Sequence, residues 1–336
     1  MNIFNDDYLV RSEDYAKIMD SDVVPWLKAR EHVLSVPGLY GNPLYCVSYD
    51  AEEPRGTVVI VHGFTENAFK FSELIFSLLH EHFSVVAYDQ RGHGRSWRDR
   101  GVPDPSMTHV GRFSDYVSDL KIICAQVLSA MPKPWMVFGH SMGGAVTVSF
   151  LEQDQDFFSG AVLCAPMIAP NLKGLPSAAA AGICRAEILA RQAKRSPFFM
   201  KPYAGHEDFD TSCATDPRRF AWYDNVKFAH REFQNSVPTS RWILESIHVT
   251  KQLLADGAPE KISCPVLLFT ADQDSSVLPG PQKQFIDRVS RHQHVFVPGS
   301  RHEIYRSENA VLFPWWHRIL AFLRDPVSAV KAGDGQ

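Results

Sequence analysis

The 336 residues suffice for one large domain carrying an insertion, or for two domains. Hydrophobic residues at 45% and aromatics at 12% exclude a disordered or fibrous chain, and a net charge of -4 gives no basis for nucleic acid as the main partner. The six cysteines form no CxxC pair, which reads as reduced core thiols rather than a disulfide framework.

The amino terminus, MNIFNDDYLVRSEDYAK, carries acids where a signal peptide needs a basic stretch followed by an apolar one. No run approaches the roughly 18 apolar residues of a membrane span, so a cytoplasmic protein is expected. From about residue 43, short β-like runs alternate with helical patterns, as in a parallel sheet covered by helices. The strand candidates are 44–50, 56–63, 83–89, 134–139, 160–166, 265–271 and 294–299. Several are nearly continuous apolar runs, as strands buried on both faces should be. Phe113, Val117, Leu120, Cys124 and Val127 fall at helical spacing, with Asp115, Asp119 and Lys121 expected on the solvated side. After Pro170 the rhythm breaks. Residues 170–245 hold no good strand and are rich in Ala, Pro, aromatics and Arg, and the run PVLLFTA then resumes the sheet. The simplest division is a core of 1–169 and 246–336 with a helical cap, 170–245, inserted between two strands. Such an insertion sits over the carboxyl ends of the strands, where open α/β sheets bind ligands.

Gly139-His140-Ser141-Met142-Gly143 is G-x-S-x-G, directly after an apolar strand and running into the helical pattern GGAVTVSFLEQ. A serine on so sharp a strand-to-helix turn is lifted clear of the sheet, with a helix amino terminus beneath the reacting carbonyl. Ser141 is the candidate nucleophile. In this architecture one oxyanion donor is the amide after the nucleophile, Met142, and the other follows an early strand, where His62-Gly63-Phe64 offers Phe64. His62 reads as structural. Asp89-Gln90-Arg91-Gly92-His93-Gly94-Arg95-Ser96 reads as a tight supporting loop, with an acid–base role for His93 as the less favoured alternative.

A serine nucleophile needs an imidazole base held by a carboxylate. Of 14 histidines, only His302 in PGSRHEI sits just beyond the last strand candidate, as the chain order Ser…Asp…His requires. The acid should follow PVLLFTA, where Asp274 is favoured by its spacing to Val277 and Pro279, and Asp272 is the alternative. His292 and His294 are a pair at strand spacing without a third ligand, so no metal is expected. No GxGxxG or GxxxxGK[ST] occurs, and no cofactor is expected.

Together VIVHGFTEN, YDQRGHGRS, FGHSMGG, ADQDSSVLP and GSRHEI resemble the α/β-hydrolase superfamily over roughly residues 30–325. APM at 165–167 and SRWILESIHVTKQLL at 240–254 make it similar to the monoacylglycerol lipase and bacterial lysophospholipase branch. The resemblance implies a mostly parallel sheet flanked by helices, with a helical cap. It also implies a triad of Ser141, Asp274 and His302, and oxyanion amides from Phe64 and Met142. The implied substrate is a single-chain lipid ester, a monoacylglycerol or a lysophospholipid. Cap aromatics, foremost Phe198, Phe199, Trp222 and Trp242, would line an acyl-chain tunnel or else pack the cap itself. Arg218, Arg219, Lys227, Arg231 and Arg241 read first as a solvated helical face and second as contacts for an anionic headgroup or the inner membrane surface. An aminopeptidase on the same scaffold is the rival, and would need a cap carboxylate such as Glu207, Asp208, Asp210 or Glu245 to hold a substrate amine. A binding protein on a dead hydrolase fold is the more distant alternative.

Overall fold

The computed structural model describes residues 3–11, 13–197 and 200–331. Its strands are β1 (His32–Pro37), β2 (Pro43–Tyr49), β3 (Gly56–Val61), β4 (Phe83–Tyr88), β5 (Met107–Thr108), β6 (Trp135–His140), β7 (Gly160–Cys164), β8 (Val237–Pro238), β9 (Val266–Gln273) and β10 (His292–Arg301). Eight of them form one sheet in the order β1-β2-β4-β3-β6-β7-β9-β10. β2 runs antiparallel to both β1 and β4, and every pairing from β4 to β10 is parallel. Along β3, Val58 and Ile60 enter one apolar cluster with Phe71, Leu74 and Trp315, while Val59 and Val61 enter the other with Leu120 and Val146. Side chains alternate faces along a strand, so burial on both faces requires the unbroken apolar runs seen in the sequence.

β1 was not expected. Only Val36 of its six residues is buried. An edge strand exposed along most of its length lacks the apolar continuity that marks the central strands. β10 also begins earlier than expected, so that His292 and His294 lie within it.

The helix Ser114–Gln126 forms where the apolar spacing placed it, but its acids are not solvated. Asp115 and Asp119 are buried. Asp119 takes both Nε and Nη2 of Arg91, at 2.6 and 2.7 Å, and accepts the Leu39 amide at 2.8 Å. A guanidinium arriving from the loop after β4 turns a polar helix face inward, which periodicity alone does not reveal.

Between β7 and β9 the chain forms the helices Ser177–Leu189, Pro217–Ala229 and Ser240–Leu253. Pro217 opens the second helix, and the Asp216 side chain caps it by accepting the amides of Arg218 and Arg219. Ala180, Ala181 and Cys184 of the first helix share an apolar cluster with Ile243 and Ile247 of the third, which runs on past residue 245. The short pair β5–β8 joins this region to the loop after β4. Among the described residues no helix is long and apolar enough to cross a membrane.

Candidate active site

β6 ends at His140, and the helix Met142–Leu151 begins two residues later, leaving Ser141 alone to make the turn. Its φ of 52° and ψ of -119° are strained for a residue with a side chain. The strain is held by neighbours on both sides. The Ser141 amide donates to the Cys164 carbonyl at 3.1 Å, and its carbonyl accepts the Met167 amide at 2.8 Å. Gly143 is pressed so close to β3 that a Cβ there would lie 2.0 Å from the Val61 carbonyl oxygen, and at Gly139 one would lie 2.6 Å from Thr147 Oγ1. The flanking glycines are therefore required by close packing of the turn against the sheet.

The chain brings a histidine to this hydroxyl from 161 residues away: His302 Nε2 lies 2.8 Å from Ser141 Oγ. His302 Nδ1 lies 2.7 Å from Asp274 Oδ2. The other Asp274 oxygen accepts the amides of Ser276 and Val277 at 2.8 and 2.9 Å. Burial works to raise the Asp274 carboxyl, but the facing imidazole and the two amides outweigh it and hold the group below its ordinary value. Asp272 is exposed and its Oδ2 accepts the Gly299 amide at 3.0 Å, shaping the loop that leads to His302. Of the two candidate acids, only Asp274 touches the imidazole.

Met142 is the first helical residue, so its amide is one of those left without an intrahelical acceptor. The Phe64 amide belongs to a peptide that is held from outside. His62 Nδ1 donates to the Gly63 carbonyl at 2.7 Å, while His62 Nε2 accepts the Gln90 amide at 2.8 Å. Because the peptide unit is planar and trans, fixing the Gly63 oxygen fixes the opposite direction of the Phe64 N–H. Burial lowers the His62 pKa, which keeps it the neutral tautomer this pattern needs. His93 is buried behind it, with Nδ1 3.1 Å from the Arg91 carbonyl, and is held well below its ordinary pKa by burial.

Beneath these groups lies a buried ionic network that pattern reading missed. Glu66 accepts the Gly63 amide at 2.5 Å and His140 Nδ1 at 2.8 Å, and also takes the Tyr305 hydroxyl. Glu303 joins Lys70 and Arg306, each at 2.6 Å. Burial opposes the Glu303 carboxylate, yet Lys70 and Arg306 bring it down to about 2. The available signals were Glu66 four residues before Lys70, and Glu303 beside the candidate base.

Ser141 and His302 open into an apolar cavity of about 570 Å³ whose wall includes Phe64, Leu172, Ile183, Met200, Trp242 and Ile243. Trp242 packs on Phe64 with ring centroids 4.4 Å apart. Trp222 is not in this wall, and its expected substrate contact is corrected. Its ring stacks on Phe69, its Nε1 donates to Asp20 at 2.9 Å, and it packs the Pro217–Ala229 helix onto the amino-terminal segment. Phe198 and Phe199 lie outside the described residues. Arg219 and Lys227 are not on a solvated face either: Arg219 pairs with Glu73 and Asp216, and Lys227 with Glu207. Of the candidate amine-holding acids, Glu207 and Asp208 line a neighbouring chamber, whereas Glu245 accepts the Phe113 amide at 3.1 Å and Asp210 is exposed.

The profile of the hydrolase family described as serine aminopeptidase, S33, matches residues 52–309. The chain belongs to this family. The protein is 28% identical over 338 residues to lysophospholipase L2 of Escherichia coli K12, covering 94% of each chain. It is 26% identical over 257 residues to the monoacylglycerol lipase of Mycolicibacterium smegmatis, covering 75% of this chain and 83% of that one. Among solved structures, a soluble variant of the Saccharomyces cerevisiae monoglyceride lipase superposes with a TM-score of 0.69 at 17% identity, over 87% of this chain and 95% of that one. The Paleococcus ferrophilus monoacylglycerol lipase gives 0.65 at 21%, over 84% and 98%. The fold of this S33 hydrolase is the α/β-hydrolase fold.

Proposed function

We propose that this S33 hydrolase cleaves carboxylic esters of single-chain lipids, lysophospholipids or monoacylglycerols, through an acyl-enzyme on Ser141. The observation that carries this is the 2.8 Å contact between Ser141 Oγ and His302 Nε2 at the wall of an apolar cavity. His302 takes the Ser141 proton as Oγ attacks the ester carbonyl, and Asp274 holds the imidazole in the tautomer that leaves Nε2 free. The amides of Met142 and Phe64 meet the developing oxyanion, each donor contributing about 3–4 kcal/mol to the transition state. Collapse of the tetrahedral adduct breaks the ester C–O bond, and the imidazolium returns its proton to the departing alcohol. Water then repeats the sequence against the acyl-enzyme and frees the fatty acid. No step calls for a cofactor.

Residues 170–245 act in this reading as a cap over the reacting centre. Leu175 and Ile183 line the apolar cavity while 38% and 42% exposed, and Leu189 is 84% exposed on the same helix as Ile183. This apolar rim supports peripheral contact of a cytoplasmic protein with the inner membrane surface, where its substrates reside. The aminopeptidase reading would draw on Glu207 and Asp208, which line the chamber beside the apolar cavity, although Glu207 is already paired with Lys227 at 2.5 Å. Turnover of p-nitrophenyl esters against proline anilides separates the two. Rapid ester cleavage with inert anilides is expected, and the reverse order would overturn the proposal.

A further inference from the structure

In the reading above the Phe64 amide meets the developing oxyanion, and it can do so only if Gly63 keeps one backbone conformation. The ψ angle of Gly63 sets the direction of the Phe64 N–H, and glycine has no Cβ to hold that angle. No side chain could take over the task. A Cβ at residue 63 would lie 2.8 Å from Glu66 Oε2, 2.9 Å from Ser141 Cβ and 3.0 Å from His140 Nδ1. The backbone is pressed against Ser141 here, so the restraint has to come from outside the residue. On the carboxyl side the His62 ring holds the Gly63 carbonyl at 2.7 Å. On the amino side Glu66 accepts the Gly63 amide at 2.5 Å.

Glu66 holds more than this one amide. The same Oε2 lies 2.8 Å from His140 Nδ1, and Oε1 takes the Tyr305 hydroxyl. His140 precedes Ser141, and its Nε2 lies 3.2 Å from the His302 carbonyl. One buried carboxylate thus meets each of the three segments that carry Phe64, Ser141 and His302. The Gly63 amide, the His140 Nδ1 proton and the Tyr305 hydroxyl are all donors, and an ionised carboxylate offers acceptors alone. We propose that Glu66 is a positioning residue for the oxyanion site. By holding the Gly63 amide against His140, it keeps the Phe64 N–H aimed at the oxygen that gains charge when Ser141 attacks. The inference rests on the ester-hydrolase reading above and adds to it a residue that acts through the backbone. In this role reach matters more than charge. Glutamine keeps an acceptor oxygen on a side chain of the same length, whereas aspartate keeps the charge and falls one methylene short.

The test sets Glu66→Gln against Glu66→Asp. It reads kcat and KM for a p-nitrophenyl ester and the Ki of decyl trifluoromethyl ketone, with active protein counted by fluorophosphonate labelling of Ser141. Ser141 Oγ bonds to the ketone carbon, its proton passes to His302, and the carbonyl oxygen becomes an anion facing the Phe64 and Met142 amides. Ki therefore reads the oxyanion site itself. Glu66→Gln should lower kcat several-fold. Glu66→Asp should lower kcat about a hundredfold, the loss typical of one oxyanion donor, weaken the ketone by a similar factor and leave KM within about threefold. Should Glu66→Asp fail to fold, Glu66→Met, as long as glutamine but without the acceptor, carries the same expectation. A role in charge or stability alone predicts that Gln does more harm than Asp, or that active protein falls with Ki unchanged. Either result would overturn the proposal. A wild type that binds the ketone but cleaves no ester, with Ki weakened in Asp far more than in Gln, upholds the positioning role while the ester reading falls. A wild type that cleaves the ester, with Ki unchanged in both variants, keeps the ester reading and removes this one.

Discussion

Glu66 Oε2 lies 2.8 Å from His140 Nδ1, sealed inside the protein one residue before Ser141. The other nitrogen of His140 lies 3.2 Å from the backbone carbonyl of His302. The residue preceding Ser141 is thereby tied to the segment that carries His302. Burial works to lower the His140 pKa, but the Glu66 charge and hydrogen bond, with Glu303 and the His302 carbonyl, raise it above its ordinary 6.5. Burial likewise opposes the Glu66 carboxylate, and His140 and Lys70 bring it well below its ordinary 4.5.

These shifts give Glu66→Gln a pH signature. The raised His140 stabilises the fold fully below about pH 6.5, and that contribution is lost as pH rises through its folded pKa. The depressed Glu66 stabilises it above about pH 4.5, and that contribution is lost as pH falls through its folded pKa. Glu66→Gln is therefore expected to cost about 3–5 kcal/mol, the scale of breaking a buried ion pair. The cost should be largest between about pH 4.5 and 6.5 and shrink as the pH is raised further. Urea denaturation of both proteins across pH 4–9 checks this, and a difference independent of pH would refute the ion-pair account.

Asp274→Asn and Asp272→Asn should separate sharply. An amide at 274 leaves the geometry nearly intact but favours the wrong imidazole tautomer, a change that costs about 10⁴ in kcat in triads of this kind. Asp272 accepts only the Gly299 amide among the contacts of its side chain described above, so its loss should lower kcat less than tenfold. Steady-state hydrolysis of a p-nitrophenyl ester measures both. A larger loss at 272 would reassign the acid.

Ser141 and His302 stood out in the sequence because each sits in a short local pattern at a strand end. Between Asp272 and Asp274, spacing to Val277 and Pro279 favoured Asp274 but left Asp272 open. β9 runs on to Gln273, which carries Asp272 along the strand edge and leaves Asp274 at the first position free to turn toward His302. Charged residues were the poorest guide. Asp115, Asp119, Arg219 and Lys227 all read as solvated by spacing, and each is buried against a partner distant in sequence or across a loop. Periodicity reports whether a residue is polar, and the partner that makes burial tolerable is a property of the assembled fold. Trp222 failed for a related reason. An aromatic in an insertion has two apolar surfaces to choose from, and Trp222 packs on the amino-terminal segment, whose position no local pattern reveals.

Acyl-chain length should respond to the apolar cavity wall. Leu172 is partly buried there, on the segment after β7 rather than in the sheet. Leu172→Trp fills part of the about 570 Å³ available without touching Ser141, His302 or Asp274. The expected result is a shift toward shorter chains, with kcat/KM for long-chain esters falling at least tenfold relative to a butyryl ester. A p-nitrophenyl ester series of increasing chain length reads it directly. Equal losses at every length would mean that this cavity does not hold the acyl chain.

Two glycine-to-alanine changes test how the turn at Ser141 is held. At Gly143 the added Cβ would lie 2.0 Å from the Val61 carbonyl oxygen and 2.5 Å from that of His62, both backbone atoms that cannot step aside without moving β3 and the turn leading to Phe64. Gly143→Ala should therefore lose activity together with several kcal/mol of stability, the mark of overpacking at a rigid site. Gly182 lies in the helix Ser177–Leu189 with nothing within 4 Å of where its Cβ would be. Gly182→Ala should instead raise stability by about 0.5–1 kcal/mol, the helix-propensity difference between the two residues, and leave the esterase rate as it was. Thermal melts of the two variants beside the wild type decide the matter. A Gly143→Ala protein that melts with the wild type would show that the turn at Ser141 does not depend on its close approach to β3.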